Sequence, residues 1–239
     1  MKNRMSGLRV GLFGGTFNPI HLGHLRAAEE VREVLALERV LFIPSRIPPH
    51  KRQDPIDPIA SPDLRLDWVE RAIATHEDFL IDRIELDREG PSYLVDTLTE
   101  LRDRDPDAVV PVFIVGEDAF AEMGEWREPE RLFGLSDIVV MTRPPGQLKD
   151  LRESMPRIVT AEFEFEEGGR KARHKQAGTQ IELVPITALD ISSSQVREAC
   201  REERSIRFLV PESIREAIEK SSEYGPRPRG YGTGGRQRR

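Results

Sequence analysis

The chain has 239 residues and 27.2 kDa, 38% of them hydrophobic and 33% charged, which supplies a real core and excludes a polypeptide disordered throughout. Its 36 Lys and Arg against 42 Asp and Glu leave a formal charge of −6, so overall charge gives no sequence-independent grip on nucleic acid and any bound phosphate must be met by local geometry. Cys200 is the single cysteine, which rules out an intrachain disulfide and a multi-cysteine zinc site and fits a reducing cytoplasm.

In chain order, residues 9–13 read as a buried strand, and Leu22, Leu25, Ala28, Val31, Val34 and Leu35 recur at helical spacing across residues 21–37. A second strand is predicted at 40–43. Residues 44–62 form a loop, because prolines at 44, 48, 49, 55, 58 and 62 bar regular pairing. The pattern then predicts a helix at 63–76, an extended segment at 79–86, a helix at 92–104, and strands at 109–115, 137–142 and 181–186. Helices follow at 193–200 and 211–221. Residues 160–178, charged and punctuated by glycine, read as a connection without function. Alternating strands and helices of this kind specify an α/β fold, a Rossmann-like doubly wound parallel sheet in one domain spanning residues 1–222. Residues 223–239 read as a disordered tail: the last fifteen carry five Gly and five Arg, a composition that orders only on a partner. No apolar run approaches the ~20 residues of a membrane span, and residues 1–9 are not followed by the apolar stretch of a signal peptide.

The densest signal is Gly14-Gly15-Thr16-Phe17-Asn18-Pro19-Ile20-His21-Leu22-Gly23-His24, where the first strand ends and the first helix begins. Open α/β sheets bind ligands at such junctions. The glycines let backbone N–H groups face an anion, and the helix start adds partial positive charge. The spacing is neither the dinucleotide fingerprint nor a P-loop. His21 and His24, three residues apart on one helical face, reach a common object. They could ligate a metal, but no third ligand follows nearby; they could be ordinary surface or core histidines; or they could hydrogen-bond phosphate oxygens, which the neighbouring glycines favour. The stretch resembles the signature of nucleotidyltransferases related to class I aminoacyl-tRNA synthetases.

Near the other end, Ile191-Ser192-Ser193-Ser194-Gln195-Val196-Arg197 opens a helix. The serines are either plain helix caps or, with Arg197 a turn later, a phosphate cradle. The run is similar to the ISST-x-x-R element that holds the triphosphate opposite the two histidines in the same superfamily.

Four further stretches narrow the resemblance to nicotinate-nucleotide adenylyltransferases: Phe42 to Lys51 (FIPSRIPPHK), Pro91 to Leu98 (PSYLVDTL), Phe113 to Phe120 (FIVGEDAF) and Arg143-Pro144. Asn18 stands where Asp is commoner, and Leu94 where Thr is commoner. Taken alone, Arg46 and Lys51 are cations suited to phosphate or simply solvated. Asp118, just past Gly116, suits a ribose hydroxyl or a helix cap, and Trp126 a stacked ring or the core. The resemblance implies catalytic roles for His21, His24, Lys51 and Arg197. It implies ATP contacts from Gly14, Gly15, Thr16, Phe17, Gly116, Asp118, Ile191, Ser192, Ser193 and Ser194, and acceptor contacts from Arg46, Tyr93, Thr97, Trp126 and Arg143.

The implied reaction transfers the adenylyl group of ATP to nicotinate mononucleotide, giving nicotinate adenine dinucleotide and pyrophosphate, with Mg²⁺ arriving on ATP and no metal held by the protein alone. Nicotinamide mononucleotide or phosphopantetheine is the alternative acceptor. The expected setting is cytoplasmic, with no membrane and no nucleic acid required, and the sequence leaves room for an oligomer.

Overall fold

The computed structural model describes residues 8–49, 57–104, 109–143 and 149–225. Among these residues one sheet is built from β1 (Leu8–Gly15), β2 (Arg39–Pro44), β3 (Phe79–Ile81), β4 (Val109–Gly116), β5 (Asp137–Thr142), β6 (Phe163–Phe165), β7 (Lys171–His174) and β8 (Gln180–Pro185). The helices are α1 (Leu22–Leu35), α2 (Pro62–Ile73), α3 (Ile84–Asp87), α4 (Leu94–Arg104), α5 (Glu117–Glu122), α6 (Pro129–Leu135), α7 (Arg157–Thr160), α8 (Ser193–Arg201) and α9 (Glu212–Lys220).

The strand order is β3-β2-β1-β4-β5-β8-β7-β6, parallel from β3 to β8 and antiparallel for β7 and β6. The chain runs outward from β1 to β3 and then crosses to β4, so the order reverses between β1 and β4. In an open α/β sheet the carboxyl ends flanking such a reversal form a crevice.

Both faces of the central strands are buried, which is why they read as continuous apolar runs. In β4, Val112 and Ile114 join the core shared with Ala28 and Val31 of α1, Trp68 of α2 and Ile214 of α9. Phe113 and Val115 point the other way, into the core with Val95 of α4, Phe120 of α5 and Leu132 of α6. Gly11 in β1 is required by packing, since a Cβ there would stand 2.9 Å from Ile114 and 3.0 Å from Leu37. Ser61 caps α2 by accepting from the Leu64 N–H, with Pro62 at the first helical position.

Three expectations are corrected. Residues 79–86 do not stay extended: Asp82 Oδ1 accepts the Ile84 N–H at 2.9 Å, turning the chain from β3 into α3. Ile84, Glu85 and Leu86 are buried in succession, as no half-exposed strand allows. Residues 160–178 are not a mere connection, because they carry the β6–β7 hairpin that widens the sheet beyond β8. Phe163, Ala172 and His174 are buried there, while charged neighbours face water. The folded body also passes residue 222. Tyr224 is 2% exposed, its ring lies 5.7 Å from that of Trp68, and its hydroxyl donates to Asn18 Oδ1 at 2.5 Å. Most of the expected tail lies outside the described residues.

Arg65 of α2 has no solvent exposure. Its Nε donates to the Ala60 carbonyl at 2.9 Å, Nη1 to Thr16 at 2.7 Å, and Nη2 to Ser45 at 2.7 Å and Arg46 at 3.2 Å. Burial pulls its pKa below the usual arginine value, and the carbonyls replace the water it lost. One guanidinium thus ties the β1–α1 loop to the end of β2 and to the approach to α2. Arg65→Met leaves those carbonyls buried without donors and is expected to cost on the order of 3 kcal/mol. A thermal melt should read this as a fall of roughly 10 °C; an unchanged Tm would show that the clamp contributes nothing.

Candidate active site

The β1–α1 junction is shaped by a left-handed residue. Phe17 has φ 48° and its ring is 2% exposed, packed against Phe13, His24 and Phe42. A bulky side chain holds that backbone only when packing compels it. The Phe17 ring belongs to the core, which leaves its backbone as the part that an ATP contact at this residue would use. Gly14, Gly15 and Thr16 lie at the strand end, with the Gly15 carbonyl accepting from the Ser45 N–H at 3.0 Å.

His21 is the N-cap of α1 and His24 lies in its first turn, their rings stacked with centroids 3.6 Å apart. The His21 N–H donates to His24 Nδ1 at 3.2 Å, so a neutral His24 carries its proton on Nε2. His21 Nδ1 is buried against the first turn of α1, facing the His24 N–H in a capping-box arrangement without reaching full hydrogen-bond geometry. Gly23 between them answers to close approach, because a Cβ there would meet His21 Nδ1 at 3.0 Å and the Ile191 carbonyl at 3.3 Å.

The second motif docks against the first. Ser193 Oγ donates to the Pro19 carbonyl at 2.9 Å and Arg197 Nη1 to the Asn18 carbonyl at 2.7 Å. Ser192 caps α8, accepting from the Gln195 N–H while Gln195 Oε1 accepts from the Ser192 N–H. Ser194 Oγ accepts from Arg197 at 3.1 Å. The three hydroxyls thus have partners within the protein. What α8 offers an anion is the N–H groups of Ser193 and Ser194, which have no carbonyl a turn back to bond.

Between the junctions lies a cavity of 590 Å³ lined by His21, His24, Arg143, Ile191, Ser192, Ser193, Ser194 and Arg197 from the expected set, and by Gly23 of the histidine motif. Asn18, Asp57, Met141, Thr187 and Leu189 also line it and were not foreseen. Arg197 is not free in it. Its Nε donates to Asp57 Oδ1 at 2.7 Å and its Nη2 bonds Asp57 Oδ2, while Arg201 Nη1 reaches Asp57 Oδ1 at 2.6 Å. The hydrogen bonds from Arg197, then Arg201, hold the Asp57 carboxyl down to about 2.

The second group of expected residues gathers where the end of β2 meets the start of α4. The Arg46 N–H donates to Ser92 Oγ at 2.9 Å, the Ser92 N–H to the Ile47 carbonyl at 2.9 Å, and Arg46 Nη1 to the Leu86 carbonyl at 2.8 Å. Tyr93 and Trp126 are half-buried at the edge of the second core; Trp126 meets Phe113 edge-on, and Arg127 lies 4.8 Å from the Tyr93 ring centre. Thr97 is a correction. It is 1% exposed, its hydroxyl donates to Glu85 Oε1 at 2.8 Å and accepts from Arg88, so it braces the wall behind the Tyr93 turn. Burial raises the pKa of Glu85, which the sequence pattern did not single out. Gly116 is the N-cap of α5 and Asp118 is exposed in its first turn, where a carboxylate suits the helix end. Lys51 lies outside the described residues.

Comparison with known proteins accords with this arrangement. The cytidylyltransferase-like family matches residues 12–199. A protein of Trichlorobacter lovleyi named as a probable nicotinate-nucleotide adenylyltransferase is 44% identical over 219 residues, 92% of this chain and 100% of its own. One of Geotalea uraniireducens with the same name is 42% identical over 217 residues, 91% of this chain and 98% of its own. This chain belongs to the nicotinate-nucleotide adenylyltransferase family. The Plasmodium falciparum nicotinic acid mononucleotide adenylyltransferase complexed with APC shares the fold, with a TM-score of 0.67 at 15% identity over 90% of this chain and 96% of its own.

Within the family signature, Asn18 where Asp is commoner has a local reason. Its Nδ2 donates to the Pro58 carbonyl at 3.1 Å while Oδ1 accepts from the Ala60 N–H at 2.9 Å and from Tyr224. A carboxylate could not make the first bond.

Burial first, then the Arg143 charge, lowers the His21 pKa to about 4 from 6.5. The unfolded chain therefore binds the proton more tightly between those values, and the stability contribution of neutral His21 is complete above pH 6.5 and lost as pH falls toward 4. Unfolding free energy measured by denaturant titration is expected to drop by up to about 3 kcal/mol over that window, and His21→Gln is expected to flatten the slope. Identical slopes in the two proteins would show that His21 is not held neutral.

Proposed function

We propose that this chain transfers the adenylyl group of ATP to the 5′-phosphate of nicotinate mononucleotide, forming nicotinate adenine dinucleotide and pyrophosphate in NAD biosynthesis. The observation that carries the reading is the single cavity in which the histidines of one strand-to-helix junction face the N-terminus of α8 from the other. A triphosphate laid between them meets ring N–H groups on one side and helix N–H groups with a guanidinium on the other.

The step is an in-line displacement. A phosphate oxygen of the acceptor forms a bond to the α-phosphorus as the bond to the bridging oxygen of the β-phosphate breaks, and that oxygen leaves with pyrophosphate. The nucleophile is already ionised at pH 7, so no general base is required, and catalysis comes from positioning and charge stabilisation. His24 presents Nε2–H to charge developing at the reacting phosphoryl group. Gly15 and Thr16 approach by backbone, and Ser193, Ser194 and Arg197 hold the β- and γ-phosphates. Arg46 and Lys51 neutralise the incoming nucleotide, whose aromatic ring lies near Tyr93 and Trp126.

Among the described residues no three of His, Cys, Asp and Glu come together as a metal cage. The cavity's donors suit phosphate, and Mg²⁺ enters as part of the substrate, liganded by ATP oxygens and water. A cytoplasmic setting is part of the proposal, supported by the lone Cys200 and by ATP as co-substrate. Among the described residues no helix is long and apolar enough to cross a membrane.

Pyrophosphate release, measured with ATP and separately nicotinate mononucleotide, nicotinamide mononucleotide and phosphopantetheine, tests the acceptor. The nicotinate compound is expected to give the highest kcat/KM, and higher turnover with either rival would overturn that assignment. His24→Ala is expected to lower kcat by ~10²–10³-fold, because a donor acting mainly in the transition state is removed, with affinity for nicotinate mononucleotide little changed. Near-normal turnover in this variant would remove His24 from the chemistry.

A further inference from the structure

Two charged residues that the proposed reaction does not use meet beside Arg197: Asp57, which lines the cavity, and Arg201, which lies behind it and does not itself line the cavity. The Asp57 carboxylate spans Arg197 and Arg201, four residues apart on one face of α8. The side chains of the two arginines are 9% and 13% exposed and that of Asp57 is 34% exposed, so the cations are built into the wall and the anion is its solvent-facing cover. Arg197 has a second tether in the Asn18 carbonyl, whereas among the described residues the Arg201 guanidinium hydrogen-bonds Asp57 alone. Arg201 also keeps a buried Nε that has no hydrogen-bond partner among the described residues. Two guanidiniums against one carboxylate leave an uncompensated positive charge and an unused donor. A phosphate group, with three outward oxygens and more negative charge, satisfies both better than a carboxylate does.

We propose that Asp57 is a built-in stand-in for a phosphate group, and that Arg197 and Arg201 together form an oxyanion subsite that takes the terminal phosphate of a polyphosphate when Asp57 is displaced. Arg201 is then a binding residue in its own right, and Asp57 sets how tightly a polyphosphate is held by competing for the same donors. The displacement is small. Asn18 fixes the Pro58 carbonyl and the Ala60 N–H just beyond Asp57, so a rotation of the Asp57 side chain uncovers the arginines without moving the start of α2. The inference rests on reading this cavity as the polyphosphate site. If Asp57 were instead a staple that holds the arginines in place, its removal would weaken anion binding, the opposite sign.

Pyrophosphate binding, measured by calorimetric titration at one fixed low ionic strength, separates the two. Asp57→Asn is nearly isosteric and is expected to bind pyrophosphate about 10-fold more tightly than the parent protein, since a competing charge-assisted contact is gone. Asp57→Ala is expected to change affinity in the same direction. In an Arg201→Gln background, the gain from Asp57→Asn is expected to shrink to less than about 3-fold, because one of the two shared donors is missing. Unchanged or weaker binding in both Asp57 variants overturns the stand-in, and an undiminished gain in the Arg201→Gln background overturns the shared subsite. Turnover of the parent protein with ATP and nicotinate mononucleotide is measured on the same preparation. Absence of turnover alongside the expected binding pattern removes the proposed reaction while leaving the subsite intact.

Discussion

The carbonyl groups of Asn18 and Pro19 receive Arg197 and Ser193, hydrogen bonds that close over sequence separations of 179 and 174 residues. They dock one strand-to-helix junction onto another, and residues of both line one cavity. Docking also explains the small residue inside the histidine motif. Gly23 passes so close to the Ile191 carbonyl and the His21 ring that a Cβ there would require one of them to give by a few tenths of an ångström. A cavity assembled from two distant segments needs such a tolerance in both, and here the tolerance is met by backbone carbonyls and a missing Cβ.

A second theme is the handling of buried charge. The chain is acidic overall, yet its cavity gathers Arg143 and Arg197 beside two imidazoles. Arg65 and Arg197 are each almost wholly buried and each spend guanidinium donors on loop carbonyls, so the cations that give the region its positive potential also hold its loops. His21 is managed differently: burial and the nearby Arg143 keep it neutral. Fixed dipoles and forked cations, placed before any ligand arrives, lower the reorganisation needed when negative charge develops.

Much of the site was legible because its chemistry is local. Gly14 to His24 and Ile191 to Arg197 each announce a loop that opens a helix, and both were located correctly as strand-to-helix junctions. The misreadings share a cause. Thr97 reads as an acceptor contact within a motif, but its hydroxyl is drawn onto Glu85 of another element. The β6–β7 hairpin was hidden by its own charge, since its solvent face dominates a composition count while the buried alternation of Phe163, Ala172 and His174 is short. Tyr224 was assigned to a polar tail because nothing nearby in sequence reveals Trp68 and Asn18 as its neighbours.

The sequence by itself determined the α/β alternation, the two strand-to-helix junctions and the family to which they belong, because periodicity, glycine placement and motif spacing act within a dozen residues. Tertiary structure alone decided which of those groups are available. It committed the three serine hydroxyls to partners within the protein, set a carboxylate from residue 57 across Arg197 and Arg201, and buried one imidazole nitrogen against the first turn of α1. Hydrogen-bond donors are finite and are shared among whatever the fold brings within about 3 Å, a distance that sequence spacing cannot report between elements far apart in the chain.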